Sequence, residues 1–515
     1  MAPFAHPWSA LAAAAQDWPD REALVFPHQQ ARRSFRAYHD EALRLAGALA
    51  ARGLSPGDHI ALLAENRVEW PVVQMACAAM GAVFVPLNTH YRRDDLAYAL
   101  AQSDVRALLC SISYRANPYR ETVAALRPGL PLLAHVFTLE EDYPRLVAEV
   151  HDFQPRPSRP ESVAALLYTS GTTGFPKGAL LSYRAMMMDA EGATERLGLR
   201  AGDRWTSIIP LFHCAGCILN LLGALQRGAA YVGVPSFDPE TMFRVIATER
   251  CTHLSGVPTS YLAMLDHPAR LSHDLSSLRG GSCGGADCNP EVLRRCATEF
   301  PMPGLCQVYG QTEGATLFTC PSADDPLRWE TAGTALPGYE LRIADPATLE
   351  PLPAGRIGEL QGRGPMVMAG YYRKPAETAE TIVDGWLRSG DLGYFTDTGH
   401  LVIAGGRLRD MIIRGGENIY PAEIENLLQS HPAIAGVAVF GEPDDYYGET
   451  VAAAVRLQGE VSAEALRAHC AARIAKFKVP AAIYVVEAFP LTPSGKIRKV
   501  ELRQWAAEKR MERLA

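Results

Sequence analysis

Several stretches of this chain combine residue types that suit work on a phosphate. The first reads Tyr168-Thr-Ser-Gly-Thr-Thr-Gly-Phe-Pro-Lys177-Gly178. An apolar run at 163–168 predicts a buried strand. It leads into Thr169, Ser170, Gly171, Thr172, Thr173 and Gly174, every one a hydroxyl or a glycine. Glycine lets backbone N–H groups turn toward an anion, hydroxyls add donors, and Lys177 adds a mobile positive charge. These are the groups that triphosphate oxygens want. The segment is not a Walker A loop, because Gly178 rather than Ser or Thr follows the lysine. The plain alternative is a surface turn, and an unbroken hydroxyl–glycine run behind an apolar strand argues against it.

A second stretch, Val308-Tyr309-Gly310-Gln311-Thr312-Glu313, offers a ring to stack on a base, a glycine to approach a phosphate and a carboxylate suited to Mg2+. By itself it also fits an ordinary loop. The third is Ser389-Gly-Asp391, followed by Gly406-Arg407-Leu-Arg409-Asp410 and Gly415-Gly416-Glu-Asn-Ile. A carboxylate can grip both ribose hydroxyls, and an arginine can do the same or reach phosphate. On spacing alone, a turn with a surface ion pair fits equally well. The fourth, Thr492-Pro-Ser-Gly-Lys496, is an exposed turn with one lysine, which taken singly is a solvated charge. Cys214 and Cys217 have CxxC spacing behind His213, but a metal or redox centre needs further ligands. Small residues lining a pocket are the better account.

The elements that must position these residues follow from periodicity. Residues 41–52 and 72–79 read as helices, and 59–63, 82–86, 107–110 and 166–168 as strands, so helix and strand alternate. That implies parallel strands with crossover helices on both faces. The apolar stretch 71–87 is interrupted by Gln74 and Gly81 and is too short to span a bilayer. It reads as a buried helix leading into a strand. The proline-rich segment 154–160 reads as a loop rather than a domain break. From Gly333 to Gly405 short strands punctuated by glycine, as at 339–343 and 358–361, predict an antiparallel β subdomain. Beyond Gly406 the pattern is α+β: a helix at 422–429, strands at 434–440 and 451–455, and a helix at 463–474. The fold expected is therefore α/β and multi-layered over residues 1–408, with a β-barrel-like subdomain. A small mobile α+β domain would follow at 409–515.

Composition limits the partners. A chain of 515 residues is too long for one core. With 48% hydrophobic and 21% charged residues it is ordinary for a soluble globular protein. Its net charge of −7 argues against nucleic acid, which selects basic surfaces. Eleven cysteines without framework spacing suggest a reducing cytoplasm and thiols used as small core residues. No basic region with a long apolar run opens the chain, and no peroxisomal or prenylation signal closes it. A homodimer is compatible with the sequence, which carries no feature that sets the oligomeric state.

The order and spacing of the four stretches, from about Trp18 to Arg503, resemble the adenylate-forming superfamily of acyl-CoA synthetases, adenylation domains and beetle luciferases. The resemblance implies an enzyme that uses ATP and Mg2+ to turn a carboxylic acid into an acyl-adenylate, then passes the acyl group to the thiol of coenzyme A. It implies roles as well. Thr169 to Lys177 would hold the β- and γ-phosphates. Gly284, Gly285 and Ala286 would lie along the adenine with Tyr309 stacked on it, and Gly310 and Gln311 would belong to the same nucleotide site. Thr312 would contact the α-phosphate, Glu313 would bind Mg2+, and Asp391 and Arg407 would hold the ribose. Lys496 would bridge the carboxylate and the α-phosphate. His213 would close the acyl pocket, and Gly416 would stand beside the pantetheine tunnel. The small domain would swing about Arg409, where relatives more often have Asp or Lys. Asp287-Cys288 also departs from the Pro-Leu usual after Gly-Gly-Ala.

Carboxylate attack adds negative charge to an anionic centre, so a lysine and Mg2+ would act by fixed positive charge. The acid would sit among 213–221, 256–258, 282–284 and 310–315. These are rich in Gly, Ala, Cys and Ser and contain no Lys or Arg. That favours a medium or long fatty acid first and an aryl or alicyclic acid second. The chain ends at Ala515 with no carrier domain, so coenzyme A is expected ahead of a carrier protein. A nucleotide-binding regulator without catalysis is the reading from another class, and it leaves Lys496 without a purpose.

Overall fold

The computed structural model describes residues 5–169, 176–286, 288–407, 410–414, 417–444, 447–474, 476–492 and 497–514. Ser170, Gly171, Thr172, Thr173, Gly174, Arg409, Gly416 and Lys496 lie outside the described residues. The chain forms two compact units. One comprises residues 1–284, 290–341 and 362–387, and the other 285–289, 342–361 and 388–515.

The first unit is built on two sheets. One runs His135–Thr138, Ala107–Cys110, His59–Leu63, Val83–Pro86, Val163–Thr169, Lys177–Ser182. It is parallel up to Val163–Thr169 and antiparallel for the last pair, which sets Thr169 opposite Lys177. The alternating pattern thus predicts the parallel part correctly. The closing hairpin departs from the expected parallel pattern: its return strand starts at Lys177, a residue whose hydroxyl–glycine surroundings read as loop. The Glu69–Met80 helix is buried from Trp70 to Met80 and ends on Gly81 at φ 72°, so the 71–87 stretch is a buried helix leading into a strand, as expected. The Phe35–Ala51 helix begins six residues before the 41–52 reading, because Ser34 caps it by accepting from the Ala37 N–H.

The second sheet has no counterpart in the sequence pattern. Its order is Gly304–Gln307, Gly280–Cys283, His253–Gly256, Arg204–Ser207, Ala230–Val232, Glu22–Phe26, Ala31–Ser34, parallel apart from the last pair. Its central strands have three or four residues each, such as Gly-Gly-Ser-Cys at 280–283, too short and too poor in large side chains to show a strand period.

The second unit carries most of a five-stranded sheet ordered Glu340–Ala344, Gly358–Arg363, Trp386–Phe395, Ile382–Val383, with Leu401–Arg407 also paired to Trp386–Phe395. These are the short antiparallel strands expected between Gly333 and Gly405. Beyond them the Ile434–Asp444 and Gly448–Leu457 strands pair antiparallel, and Ala482–Val485 adds in parallel. The Pro421–Gln429, Ala463–Ala471 and Lys499–Ala507 helices complete an α+β layer. Ile412, Ile424, Leu428, Val439, Val455, Leu466 and Ile483 form one core of this layer. The helix expected at 463–474 ends at Ala471, where Ala472 closes it with an N–H bond to the Ala468 carbonyl.

Candidate active site

The hairpin Val163–Thr169/Lys177–Ser182 sets Thr169, which opens the hydroxyl–glycine run, opposite Lys177. Tyr98 donates its hydroxyl to the Pro176 carbonyl at 3.1 Å, and Tyr168 donates to Ala99 O at 2.9 Å and Gln102 Oε1 at 2.7 Å. Burial pushes the Tyr168 phenol well above its ordinary pKa, so it stays a donor. A second segment joins the hairpin's open edge. Ala369 N–H donates to Leu180 O, Leu180 N–H to Gly370 O, and Tyr372 N–H to Gly178 O, all within 2.8–2.9 Å. This edge pairing delivers Tyr371. Its ring lies 4.5 Å from the Lys177 ammonium, and its hydroxyl donates to Glu313 Oε1 at 2.7 Å. The Met368 N–H also donates to the Glu313 carbonyl at 2.8 Å. Lys177 and Glu313, far apart in the chain, are thus brought to one ring.

Tyr309 and Thr319 pair as a bridge, and the chain between them turns back through the Thr312–Gly314 turn. Val308 N–H donates to the Cys283 carbonyl at 2.9 Å, which lays Gly284 beside the start of this segment. A Cβ on Gly284 would sit 2.6 Å from Val308 O, so the strands pass too closely for any side chain. Gly310 is tighter: a Cβ there would meet Thr316 O at 2.0 Å. Gln311 accepts the Gly314 N–H through its carbonyl and opens the turn that carries Thr312 and Glu313. The Thr312 hydroxyl contacts Cys214 Sγ at 3.4 Å, and that sulfur lies 3.6 Å from His213 Nδ1. Ala215 N–H donates to the same Nδ1 at 3.2 Å, which leaves Nε2 to carry the ring proton.

His213 stands just before the buried, wide-turned helix Ala215–Leu222, a form frequently found at functional sites. From this helix Asn220 donates to Ser255 Oγ at 3.0 Å, and Ser255 Oγ lies 2.7 Å from Ser282 Oγ. The Trp205 indole N–H also reaches Ser255 at 3.0 Å. The four segments named for the acid, 213–221, 256–258, 282–284 and 310–315, are therefore neighbours in space through Cys214–Thr312, Asn220–Ser255–Ser282 and Gly284–Val308. Cys217 lies in the same layer, and burial raises its thiol far above the ordinary range, so it is a neutral packing group.

In the second unit, strand register sets Asp391 opposite Arg407. Asp391 N–H donates to Ser389 Oγ at 3.0 Å, and Gly390, at φ 70°, donates its N–H to Glu359. Arg388 pairs with the other oxygen of that nearly buried carboxylate at 2.9 Å. The Ser-Gly-Asp turn is thereby fixed from behind. Gly285 adopts φ 80°, and Cys288 Sγ lies 3.4 Å from the Ala286 carbonyl.

Residues 11–372 match the family model of the AMP-binding enzyme, and residues 423–496 match that of the AMP-binding enzyme C-terminal domain. The chain belongs to the AMP-binding enzyme family. YngI of Bacillus subtilis, an acyl-CoA synthetase by name, is 38% identical over 96% of each chain. The mitochondrial medium-chain acyl-CoA ligase ACSF2 of Danio rerio is 33% identical over 96% of this chain and 87% of its own. Among solved structures, the anthranilate CoA ligase AuaEII in complex with anthranoyl-AMP superposes with a TM-score of 0.90, at 26% identity and 98% coverage of both chains. This AMP-binding enzyme is an ATP-dependent, AMP-forming acid–thiol ligase of the acyl-CoA synthetase kind. Its large α/β part and smaller second part are the architecture of these relatives. Among the described residues no helix is long and apolar enough to cross a membrane.

Sequence reasoning missed Tyr371 in this AMP-binding enzyme. The signal was present: Gly370-Tyr371-Tyr372-Arg373-Lys374-Pro375 packs rings, cations and turn formers between predicted strands. It could not show that the segment pairs with the edge next to Lys177.

Proposed function

We propose that this ligase activates a medium or long fatty acid and delivers it to coenzyme A. The observation that carries the reading is the convergence of four segments that hold no Lys or Arg around Cys214, Thr312 and Ser255. A second carboxylate on the substrate would find no lysine or arginine there. The medium-chain specificity in the name of the ACSF2 relative supports the fatty acid, and the anthranilate ligase keeps an aryl acid as the second reading. Coenzyme A is favoured over a carrier protein because these relatives are named CoA ligases.

In this reading Thr169 to Gly174 and Lys177 hold the β- and γ-phosphates, and Gly284, Gly285, Ala286, Tyr309, Gly310 and Gln311 frame the adenine. Thr312 touches the α-phosphate, Asp391 and Arg407 hold the ribose, and His213 closes the acyl pocket. Glu313 fits Mg2+, since a carboxylate already oriented by a phenol is the hard oxygen donor that ion takes. Mg2+ there would supply fixed positive charge to the phosphates. Lys496 would arrive with a mobile domain, 409–515, turning at Arg409, and Gly416 would line the thiol's approach. Eleven cysteines, all buried free thiols, support a reducing compartment, and we place the enzyme in the cytoplasm.

The test is pyrophosphate release with ATP and Mg2+ across fatty, aryl, alicyclic and dicarboxylic acids, with and without coenzyme A. Turnover that needs a medium or long fatty acid and rises with coenzyme A supports the reading. A preference for acetate or a dicarboxylic acid defeats the substrate class. An adenylate that coenzyme A cannot discharge defeats the acceptor.

A further inference from the structure

Immediately after Thr312 and Glu313 the backbone does something unusual. Ala315 adopts φ 57° and ψ −59°, and the Thr316 N–H donates back to the Gly314 carbonyl at 2.6 Å. This is the positive-φ γ-turn, the rarer and strained of the two kinds, and it is centred on a residue with a Cβ. Strain of this sort persists only where surrounding contacts hold it.

The contacts here are specific. Tyr339, buried, donates its hydroxyl to the Gly314 carbonyl at 2.7 Å. Asp189, in the Tyr183–Arg196 helix and wholly buried, accepts the Leu317 N–H on Oδ2 at 2.9 Å. One contact lies on each side of Ala315. Asp189 is otherwise hard to explain: among the described residues no cation is paired with it, its Oδ1 makes no hydrogen bond of ordinary geometry, and besides Leu317 only the neighbouring Thr316 N–H and hydroxyl act on it. Burial raises its carboxyl well above the usual carboxylate range, and Tyr339, Cys214 and Cys320 are the titratable groups that face it. Its role toward the loop is that of a hydrogen-bond acceptor. A leucine or alanine would fill that place without an orphaned oxygen, so the carboxyl serves the loop rather than the core.

We infer that Asp189 and Tyr339 are positioning residues for adenylation, clamping the strained turn at Ala315 so that Thr312 and Glu313 hold a fixed geometry. The inference rests on the roles proposed above for Thr312 and Glu313.

The experiment measures kcat and KM for acid-dependent pyrophosphate release in Asp189→Ala, Asp189→Asn and Tyr339→Phe. Rates are normalised to sites titrated with a non-hydrolysable acyl-adenylate analogue, with Glu313→Gln alongside. Loosening the turn misplaces two groups by a fraction of an ångström, so Asp189→Ala lowers kcat per titrated site about 30-fold while KM for ATP shifts about 3-fold or less. Asp189→Asn, whose amide oxygen accepts the same N–H without charge, keeps at least about a third of wild-type kcat, and Tyr339→Phe loses about 5-fold. A kcat per site within about 2-fold of wild type in Asp189→Ala overturns the clamp, as does an Asn variant as slow as the Ala variant. Should Asp189→Ala fail to fold, an unchanged kcat in Tyr339→Phe overturns it alone. Full activity in Glu313→Gln with slow Asp189 variants would instead remove the proposed role of Glu313.

Discussion

Replacing Tyr371 by phenylalanine separates two things this side chain does. The ring that faces Lys177 at 4.5 Å stays, while the hydroxyl that donates to Glu313 Oε1 at 2.7 Å goes. A hydrogen bond to a charged acceptor is worth roughly 1.5–3 kcal/mol. Tyr371 is 7% exposed, so water replaces the lost donor poorly and the middle of that range applies. About 2 kcal/mol corresponds to about 30-fold in rate, if Glu313 must hold its orientation as the reaction proceeds. The apparent Mg2+ requirement should rise about 10-fold or more, as when an outer partner of a metal ligand is removed. The assay is pyrophosphate release at saturating acid and ATP, titrated with Mg2+, on wild type, Tyr371→Phe, Glu313→Gln and the double variant. If the hydroxyl acts only through Glu313, the double variant is no slower than Glu313→Gln, and the coupling energy equals the whole Tyr371→Phe effect. Additive losses, or an unchanged Mg2+ titration in Tyr371→Phe, would refute the reasoning. Tyr371→Leu should lose a further small factor through Lys177, since a cation over a ring contributes about 0.5–2 kcal/mol.

Gly310→Ala places a Cβ 2.0 Å from Thr316 O and 2.4 Å from Leu317 Cα, both backbone atoms that cannot step aside. Activity should be lost and the thermal midpoint lowered, and a variant with wild-type melting and turnover would contradict the packing described. Lys496→Ala should abolish adenylation from ATP by about 100-fold or more while leaving thioester formation from supplied acyl-adenylate largely intact, read as two separate half-reactions. His253, 1% exposed, is held neutral because burial lowers its pKa to about 4. The unfolded chain takes that proton below about pH 6.5, so this stability is present above that pH and is lost as pH falls toward 4. Between pH 7 and 5 the loss is on the order of 2 kcal/mol, measured as the difference in urea unfolding, and His253→Gln should flatten it.

The sequence alone determined the first sheet's alternation, the buried Glu69–Met80 helix and the chemistry-bearing stretches. These are local signals: a period of apolar residues, a run of glycines and hydroxyls, and a turn of Ser-Gly-Asp. Composition also determined that the segments proposed to line the acid carry no Lys or Arg. Tertiary structure alone decided what those stretches meet. Register pairs Asp391 with Arg407, and edge pairing brings Tyr371 between Lys177 and Glu313. A helix more than a hundred residues upstream supplies the buried Asp189 that steadies the turn behind Thr312. None of these carries a sequence period, because contact between distant segments depends on strand order and helix packing. The central strands of the second sheet went unread for a related reason. Strands of three or four small residues are stabilised by their neighbours and not by their own propensity, so they exist only once the sheet does.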